Sequence, residues 1–84
     1  MLIVTQDGAV LNIDHVAYMW IEAQPDNTWQ IKADLDRWVH GRVLGTYKSK
    51  KQAEEELEGF LHCYELDLRT FVFEKPYESE VMKG

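Results

Sequence analysis

The sequence predicts an α+β fold: an antiparallel β-meander of five to six strands with one amphipathic helix packed on one face, in the order β-β-β-β-β-α-β. Three observations support this prediction. An Asp-Gly pair separates two apolar runs near residue 7, residues 29–35 alternate between apolar and polar side chains, and the apolar period becomes helical after residue 49. Because short links between consecutive strands favour antiparallel pairing, the strands should follow one another across one sheet.

The first two strands are predicted as a hairpin over residues 2–13. Apolar residues lie on both sides of Asp7-Gly8, and this dipeptide favours the two-residue type I′ turn, which needs a positive φ at both positions. Residues 16–23 predict a third strand, and the polar, Pro-containing stretch 24–28 predicts the turn that ends it.

The next two strands are predicted over residues 29–35 and 38–47. In the first of them, odd positions are apolar and even positions are polar, which is the period of a strand with one buried face. In the second, Gly41 and Gly45 indicate a bulge or the close approach of another segment.

The helix is predicted to start after Ser49. Ser49 and Gln52 have the spacing of a capping box, in which each side chain bonds the backbone N–H of the other residue. One apolar stripe follows at helical spacing and should face the sheet. This stripe consists of Ala53, Leu57, Phe60, Leu61 and Tyr64. Residues 68–74 then predict a last strand or an extended segment packed against the helix, and Pro76 ends it.

Length and composition set the domain boundaries. The chain has 84 residues, which suits a single α+β domain, predicted over 1–75, with 76–84 as a flexible C-terminal tail. A single cysteine excludes a disulfide framework, and no apolar run reaches the ~20 residues that span a bilayer. Because no basic and apolar leader opens the sequence, we expect a cytoplasmic location.

Residues 16–23 are apolar on both faces, which is unusual for a strand in a sheet with one helix behind it. Either the sheet is strongly curved and buries this strand on both sides, or the second face is an interface. Aromatic side chains are common interface anchors, so we expect a contact with another protein or with a second copy of the chain. The predicted interface residues are Tyr18, Met19, Trp20, Ile21 and Trp29.

Charge is segregated along the chain, whose formal net charge is −6. The segment 37–51 has no acidic residue, and it is either an ordinary solvated surface or a site for an anion or nucleic acid. The net negative charge counts against nucleic acid. This alternative anion-binding site would use Arg37, Arg42, Lys48, Lys50 and Lys51. The acidic helix that follows would instead suit a basic partner or mimic nucleic acid.

Side chains suited to catalysis or metal binding are few. Asp14 beside His15 reads as a turn aspartate with an adjacent histidine, and an enzyme would need the strand register to bring His15 and His40 together. Asp34 and Asp36 are a weak cation signal. No phosphate-binding loop or nucleophile motif is present. We therefore expect a protein that is not an enzyme, with no cofactor and no metal site.

Three segments carry a resemblance to a known group of proteins. Residues 3–8 read IVTQDG, residues 12–16 read NIDHV and residues 44–53 read LGTYKSKKQA. These segments resemble small uncharacterised proteins of low-GC Gram-positive bacteria and of their prophages and mobile elements, which share a VTQDG start, an NLDNV-like segment and an LGxYxTxExA entry into a helix. His15 stands where that pattern has Asn, and Lys51 stands where it favours Glu. The resemblance implies a cytoplasmic protein of phage or mobile-element origin, and no catalytic residue.

Overall fold

The computed structural model of the protein describes residues 1–12, 18–35 and 39–74. Within these residues the strands and the helix follow the predicted order, and the α+β class is confirmed. The elements are β1 (Leu2–Val4), β2 (Val10–Asn12), β3 (Tyr18–Ala23), β4 (Trp29–Asp34), β5 (Arg42–Tyr47), α1 (Lys50–Glu65) and β6 (Thr70–Val72). The predicted tail 76–84 lies outside the described residues.

The strands form two three-stranded sheets, so the prediction of a single meander is wrong. Sheet 1 has the order β2-β1-β6, and sheet 2 has the order β3-β4-β5. In sheet 1, β1 pairs antiparallel with β2 and parallel with β6, and Ile3 lies opposite both Leu11 and Phe71. The last strand can pair parallel with the first because β2 to β5 and α1 lie between them in sequence, and parallel pairing needs a long connection.

Sheet 2 is antiparallel throughout. Two alternate side chains of β4 are fully buried, as the alternation of this segment predicts. β5 contains a bulge, since Ile31 pairs with Gly45 while Lys32 pairs with Val43, which leaves Leu44 as the extra residue. The bulge predicted from the glycines of this strand is therefore present.

The β1–β2 and β3–β4 hairpins close with the same kind of three-residue loop. The Gly8 N–H donates to the Thr5 carbonyl (3.0 Å), and the Asn27 N–H donates to the Gln24 carbonyl (3.1 Å). Gly8 and Asn27 both have positive φ, at +88° and +69°. Asp7 does not, so the predicted two-residue type I′ turn is wrong. The Asp7 carboxylate accepts a hydrogen bond from the Thr5 hydroxyl, which favours a type I turn followed by one left-handed residue.

The start of α1 confirms the predicted cap. The Ser49 hydroxyl accepts the Gln52 N–H at 3.1 Å. The Gln52 side chain accepts the N–H of Lys48 (3.0 Å) rather than that of Ser49, so the reciprocal bond of the capping box is displaced by one residue.

The core lies between the sheets and one face of α1. Phe60 points into it, and its ring centroid lies 5.5 Å from that of Phe71 and 5.7 Å from that of Phe73. Leu61 and Tyr64 of the predicted stripe are about half exposed. Leu61 is one residue and about 100° further round the helix than Phe60, so both cannot face the core. The buried core consists of Ile3, Ile31, Ala33, Leu44, Tyr47, Ala53, Phe60 and Phe73.

Gln6 joins the two sheets just beyond the end of β1. Its N–H donates to the Leu44 carbonyl (3.0 Å), and its side-chain oxygen accepts the Thr46 N–H (2.6 Å). Its Nε2 donates to the Glu74 carbonyl at 2.9 Å. One side chain therefore links the end of β1, the bulged strand β5 and the residues after β6.

Candidate functional site

The structure divides the five predicted interface residues between the two faces of sheet 2. Met19, Ile21 and Trp29 pack against the core. Tyr18 and Trp20 lie on the opposite face, because alternate residues of a strand point to opposite sides of the sheet. We call this side of sheet 2, which also carries Glu22, Gln30 and Lys32, the open face.

Tyr18 and Trp20 form a stacked aromatic pair on the open face. Their ring centroids are 5.2 Å apart, the planes meet at 28°, and Tyr18 is 62% exposed. Aromatic side chains have few rotatable bonds, so a pair already held together loses little conformational entropy when it is covered. This pair is a preorganised apolar surface.

Glu22 organises the polar groups beside the aromatic pair. One of its carboxylate oxygens accepts the indole N–H of Trp20 at 3.2 Å. The other accepts bonds from the Lys32 ammonium (2.8 Å) and the Gln24 amide (3.1 Å). The bond from Lys32, followed by those from Trp20 and Gln24, lowers the pKa of Glu22 to about 2. The network holds the indole ring in place and neutralises the carboxylate.

Among the described residues, β3 is an edge strand: it pairs with β4 on one side and with no described strand on the other. The Gln24 N–H donates to the Thr28 carbonyl across the hairpin at 2.9 Å. Backbone groups of consecutive residues point alternately to the two sides of a strand, so the even-numbered residues of β3 bond β4. The N–H and C=O groups that point to the free edge belong to Met19, Ile21 and Ala23.

Sequence reasoning identified the aromatic pair but missed the network of Glu22. Its main partner, Lys32, is ten residues away across a hairpin. The pairing of Trp20 with Lys32 follows from the register, which the turn cluster at 24–28 restricts only loosely. The period-two alternation places Trp20 and Glu22 on one face of the strand, and this is the part of the network that the sequence indicates.

Two bases of the predicted anion-binding site lie at opposite ends of β5. Arg42 begins the strand, and its guanidinium is 3.5 Å from the Asp7 carboxylate. Lys48 follows the other end, and six residues of strand span about 20 Å. Arg37 lies outside the described residues.

The other two predicted bases begin α1. The ammonium of Lys50 lies 5.8 Å from the ring centroid of Trp29, which is the distance of a cation–π contact. Lys51 is exposed on the helix. The described bases therefore divide into Arg42 at one end of β5 and a group at the other end, where Lys48, Lys50 and Lys51 lie between the end of β5 and the first turn of α1.

The polar groups considered for catalysis give no assembled site in the described part of the chain. His40 is exposed, and its Nδ1 lies 3.8 Å from the Asp34 carboxylate. That carboxylate also accepts the Gly41 N–H (2.7 Å), which closes the loop after β4. No group of three or more His, Cys, Asp or Glu side chains suited to a metal ion occurs among the described residues. Three predicted residues lie outside them: Asp14, His15 and Asp36.

Tyr47 brings a hydroxyl group into the core. It is buried, and the hydroxyl has no hydrogen-bond partner among the described residues. Burial, and then the charge of Glu56, raise the pKa of Tyr47. Burial also raises the pKa of Glu56, whose carboxylate accepts the Glu74 N–H at 3.0 Å. Glu56 of α1 therefore lies close enough to act on Tyr47 of β5 and bonds the backbone of Glu74, which follows β6.

Sheet 1 has a second exposed apolar surface. Val4 lies between Val10 and Val72 in the register, and Leu2 is the next residue on the same face. Val10 is 62% exposed and Val72 is 47% exposed. This surface has no aromatic side chain to act as an anchor, so we rank it below the open face of sheet 2.

Comparisons with known proteins add no relative. A scan against protein-family models found no match, and searches of curated proteins and of solved structures found none either. Within the described residues, none of the helical structure is long and apolar enough to cross a membrane.

Proposed function

We propose that the protein is a small non-enzymatic interaction module that forms a homodimer through β3. The stacked pair of Tyr18 and Trp20 on an edge strand is the observation that carries this proposal. One chain can extend the sheet of another by pairing with its edge strand. This mode of binding needs free backbone groups for pairing and side chains for anchoring. β3 has both, because its outward N–H and C=O groups lie beside two aromatic rings.

A second copy is the partner that this edge fits best. Two β3 strands related by a twofold axis run antiparallel, and each offers the donors and acceptors that the other needs. The acidic residue of β3 is Glu22, whose carboxylate is paired with the Lys32 ammonium at 2.8 Å. The one charged side chain of β3 is therefore already paired within its own chain, although each copy has a net charge of −6.

Anion or nucleic-acid binding by the segment 37–51 stays the alternative. Its described bases are spread over both ends of β5 and the start of α1. Phosphate binding by these bases would weaken as salt increases, with a slope set by the number of phosphate contacts. The cytoplasmic location and the phage or mobile-element origin also stay predictions from the sequence.

Substitution of Trp20 by Ala tests the homodimer. The absolute mass is measured by size-exclusion chromatography with light scattering over a range of concentrations, and circular dichroism reports the fold. We expect a wild-type mass of two chains. Loss of an aromatic anchor costs about 2 kcal/mol, so Trp20→Ala should raise the dissociation constant about 30-fold while the chain stays folded.

Val72→Ala is the matched control, because it removes an exposed apolar side chain from sheet 1. We expect it to leave the dissociation constant unchanged. A wild-type chain that stays monomeric at high concentration contradicts the proposal. So does a reversed result, in which Val72→Ala dissociates the dimer and Trp20→Ala does not.

A further inference from the structure

Resting on the proposed function, the geometry points to one register for the contact between the two copies. We propose that the two β3 strands pair antiparallel with Trp20 of one chain directly opposite Trp20 of the other. The pairing joins the two copies of sheet 2 into one continuous sheet, with both helices on the same side.

The backbone supports this register. With the twofold axis at Trp20, Met19 of one chain lies opposite Ile21 of the other. Both residues direct their N–H and C=O groups to the free edge, so each such pair exchanges two hydrogen bonds. The two Trp20 residues then occupy a non-hydrogen-bonded position, where the Cα atoms approach to about 4.5 Å and cross-strand side chains are closest.

The position of the Glu22 charge favours this register over the register with the twofold axis at Ile21. With Trp20 on the axis, Glu22 lies opposite Tyr18 of the other chain, whose hydroxyl can donate to the carboxylate. The two Glu22 side chains are then about 13 Å apart along the strands. With Ile21 on the axis they become diagonal neighbours at about 7–8 Å, where the two carboxylates repel each other even though each is paired with Lys32 of its own chain. With Glu22 on the axis they would face each other directly.

A shift in the opposite direction loses contact. With Met19 on the axis, only Tyr18–Trp20 of each β3 strand overlap, whereas Tyr18–Glu22 overlap when the axis is at Trp20. Moving the axis from one residue to the next shifts the strand pairing by two residues and keeps the faces matched. A shift of the pairing by one residue would instead place the open face of one copy on the same side as the core face of the other, because the side-chain period is two. The Trp20 register therefore combines the longer overlap with the larger separation of the acids.

Disulfide trapping between two variants tests the register. Tyr18→Cys and Glu22→Cys are made separately in a Cys63→Ser background, mixed under reducing conditions and then oxidised. In the proposed register, positions 18 and 22 of different chains are directly opposite, with Cβ atoms about 4.5 Å apart, which is within reach of a disulfide. We expect a crosslinked heterodimer from the mixture and none from either variant alone.

A second mixture distinguishes the two proposals from each other. If Trp20→Cys with Glu22→Cys gives the crosslink and the first mixture does not, the axis lies at Ile21, and the register is wrong while the homodimer stands. If the wild-type chain is monomeric by light scattering, both proposals fail.

The wild-type chain gives an independent readout that removes no side chain from the contact. Two indole rings in direct contact couple electronically, so circular dichroism should show an exciton couplet that grows with the dimer fraction. Trp20→Phe should abolish this couplet, while Trp29→Phe should keep it. A wild-type dimer without a concentration-dependent couplet contradicts the Trp20 register.

Discussion

Glu22 and Glu56 show how two glutamates of one chain acquire opposite responses to pH. Hydrogen bonds led by Lys32 lower the pKa of Glu22 to about 2. Glu22 therefore stabilises the fold above the unfolded value of 4.5, and this contribution is lost as the pH falls towards 2. Burial and the charge of Glu74 raise the pKa of Glu56. Glu56 therefore destabilises the fold at neutral pH, and protonation relieves this penalty as the pH falls.

Substitution of Glu56 by Gln should stabilise the protein at pH 7. The amide oxygen can still accept the Glu74 N–H, while the half-buried charge is removed. We expect a higher free energy of unfolding in urea at pH 7 than for the wild type. The difference should narrow as the pH falls through the raised pKa of Glu56 and vanish below its unfolded value of 4.5.

Glu58→Gln is the control for this substitution, since Glu58 lies on the exposed side of the same helix. It changes the net charge equally but removes an exposed carboxylate instead of a partly buried one. We therefore expect no gain in the free energy of unfolding at pH 7. A lower stability of Glu56→Gln at pH 7 would mean that the bond from Glu74 to a charged acceptor outweighs the cost of burial.

At the scale of elements, α1 is bounded by signals that are local in sequence. Ser49 accepts the Gln52 N–H at its start. At its end Asp67 has a φ of +60°, and the Leu68 N–H donates to the Cys63 carbonyl at 3.1 Å. These bonds satisfy backbone groups that a helix leaves unpaired at its two ends. The helix could be predicted because each bond joins residues within five positions of each other.

Substitution of Ser49 by Ala should lower the free energy of unfolding by about 1 kcal/mol, because the Gln52 N–H loses its acceptor. The first turn contains Lys50 and Lys51 and no acidic residue, so its charge opposes the helix dipole. Ser49→Asp is the matched variant: it keeps an acceptor and adds a favourable charge, and we expect it to be at least as stable as the wild type. Urea unfolding of the three proteins measures both effects, and an alanine variant of unchanged stability would show that the cap contributes nothing.

At the scale of the whole molecule, Gln6 holds the two sheets together. Its side chain bonds Thr46 in sheet 2 and the backbone of Glu74 after β6. A glutamine in a hairpin loop reads as an ordinary turn residue, so the sequence alone does not reveal that Gln6 joins the two sheets. Thr46 is forty residues away, and a contact of that range depends on the complete fold.

Gln6→Ala should lower the free energy of unfolding by about 1–3 kcal/mol, because the Thr46 N–H is left without its acceptor. Amide hydrogen exchange should become faster at Thr46 than in the wild type, which locates the effect at the junction of the sheets. Lys51→Ala, at an exposed position of α1, should change stability by no more than about 0.5 kcal/mol. An equal free energy of unfolding and equal amide exchange at Thr46 in the two variants would show that Gln6 does not hold the two sheets together.

The sequence by itself determined the order of the elements, the start of α1, the buried face of β4 and the placement of Tyr18 and Trp20 on the same face of β3. These follow from side-chain periods and from turn and cap residues, which act between neighbours in the chain. Tertiary structure decided the rest: two sheets, the parallel pairing of β6 with β1, the burial of Met19, Ile21 and Trp29 against the core, and the bond between Glu22 and Lys32. The physical reason is that strand pairing is non-local, so sequence period sets which residues share a face, while the complete fold sets which face is covered and what lies opposite.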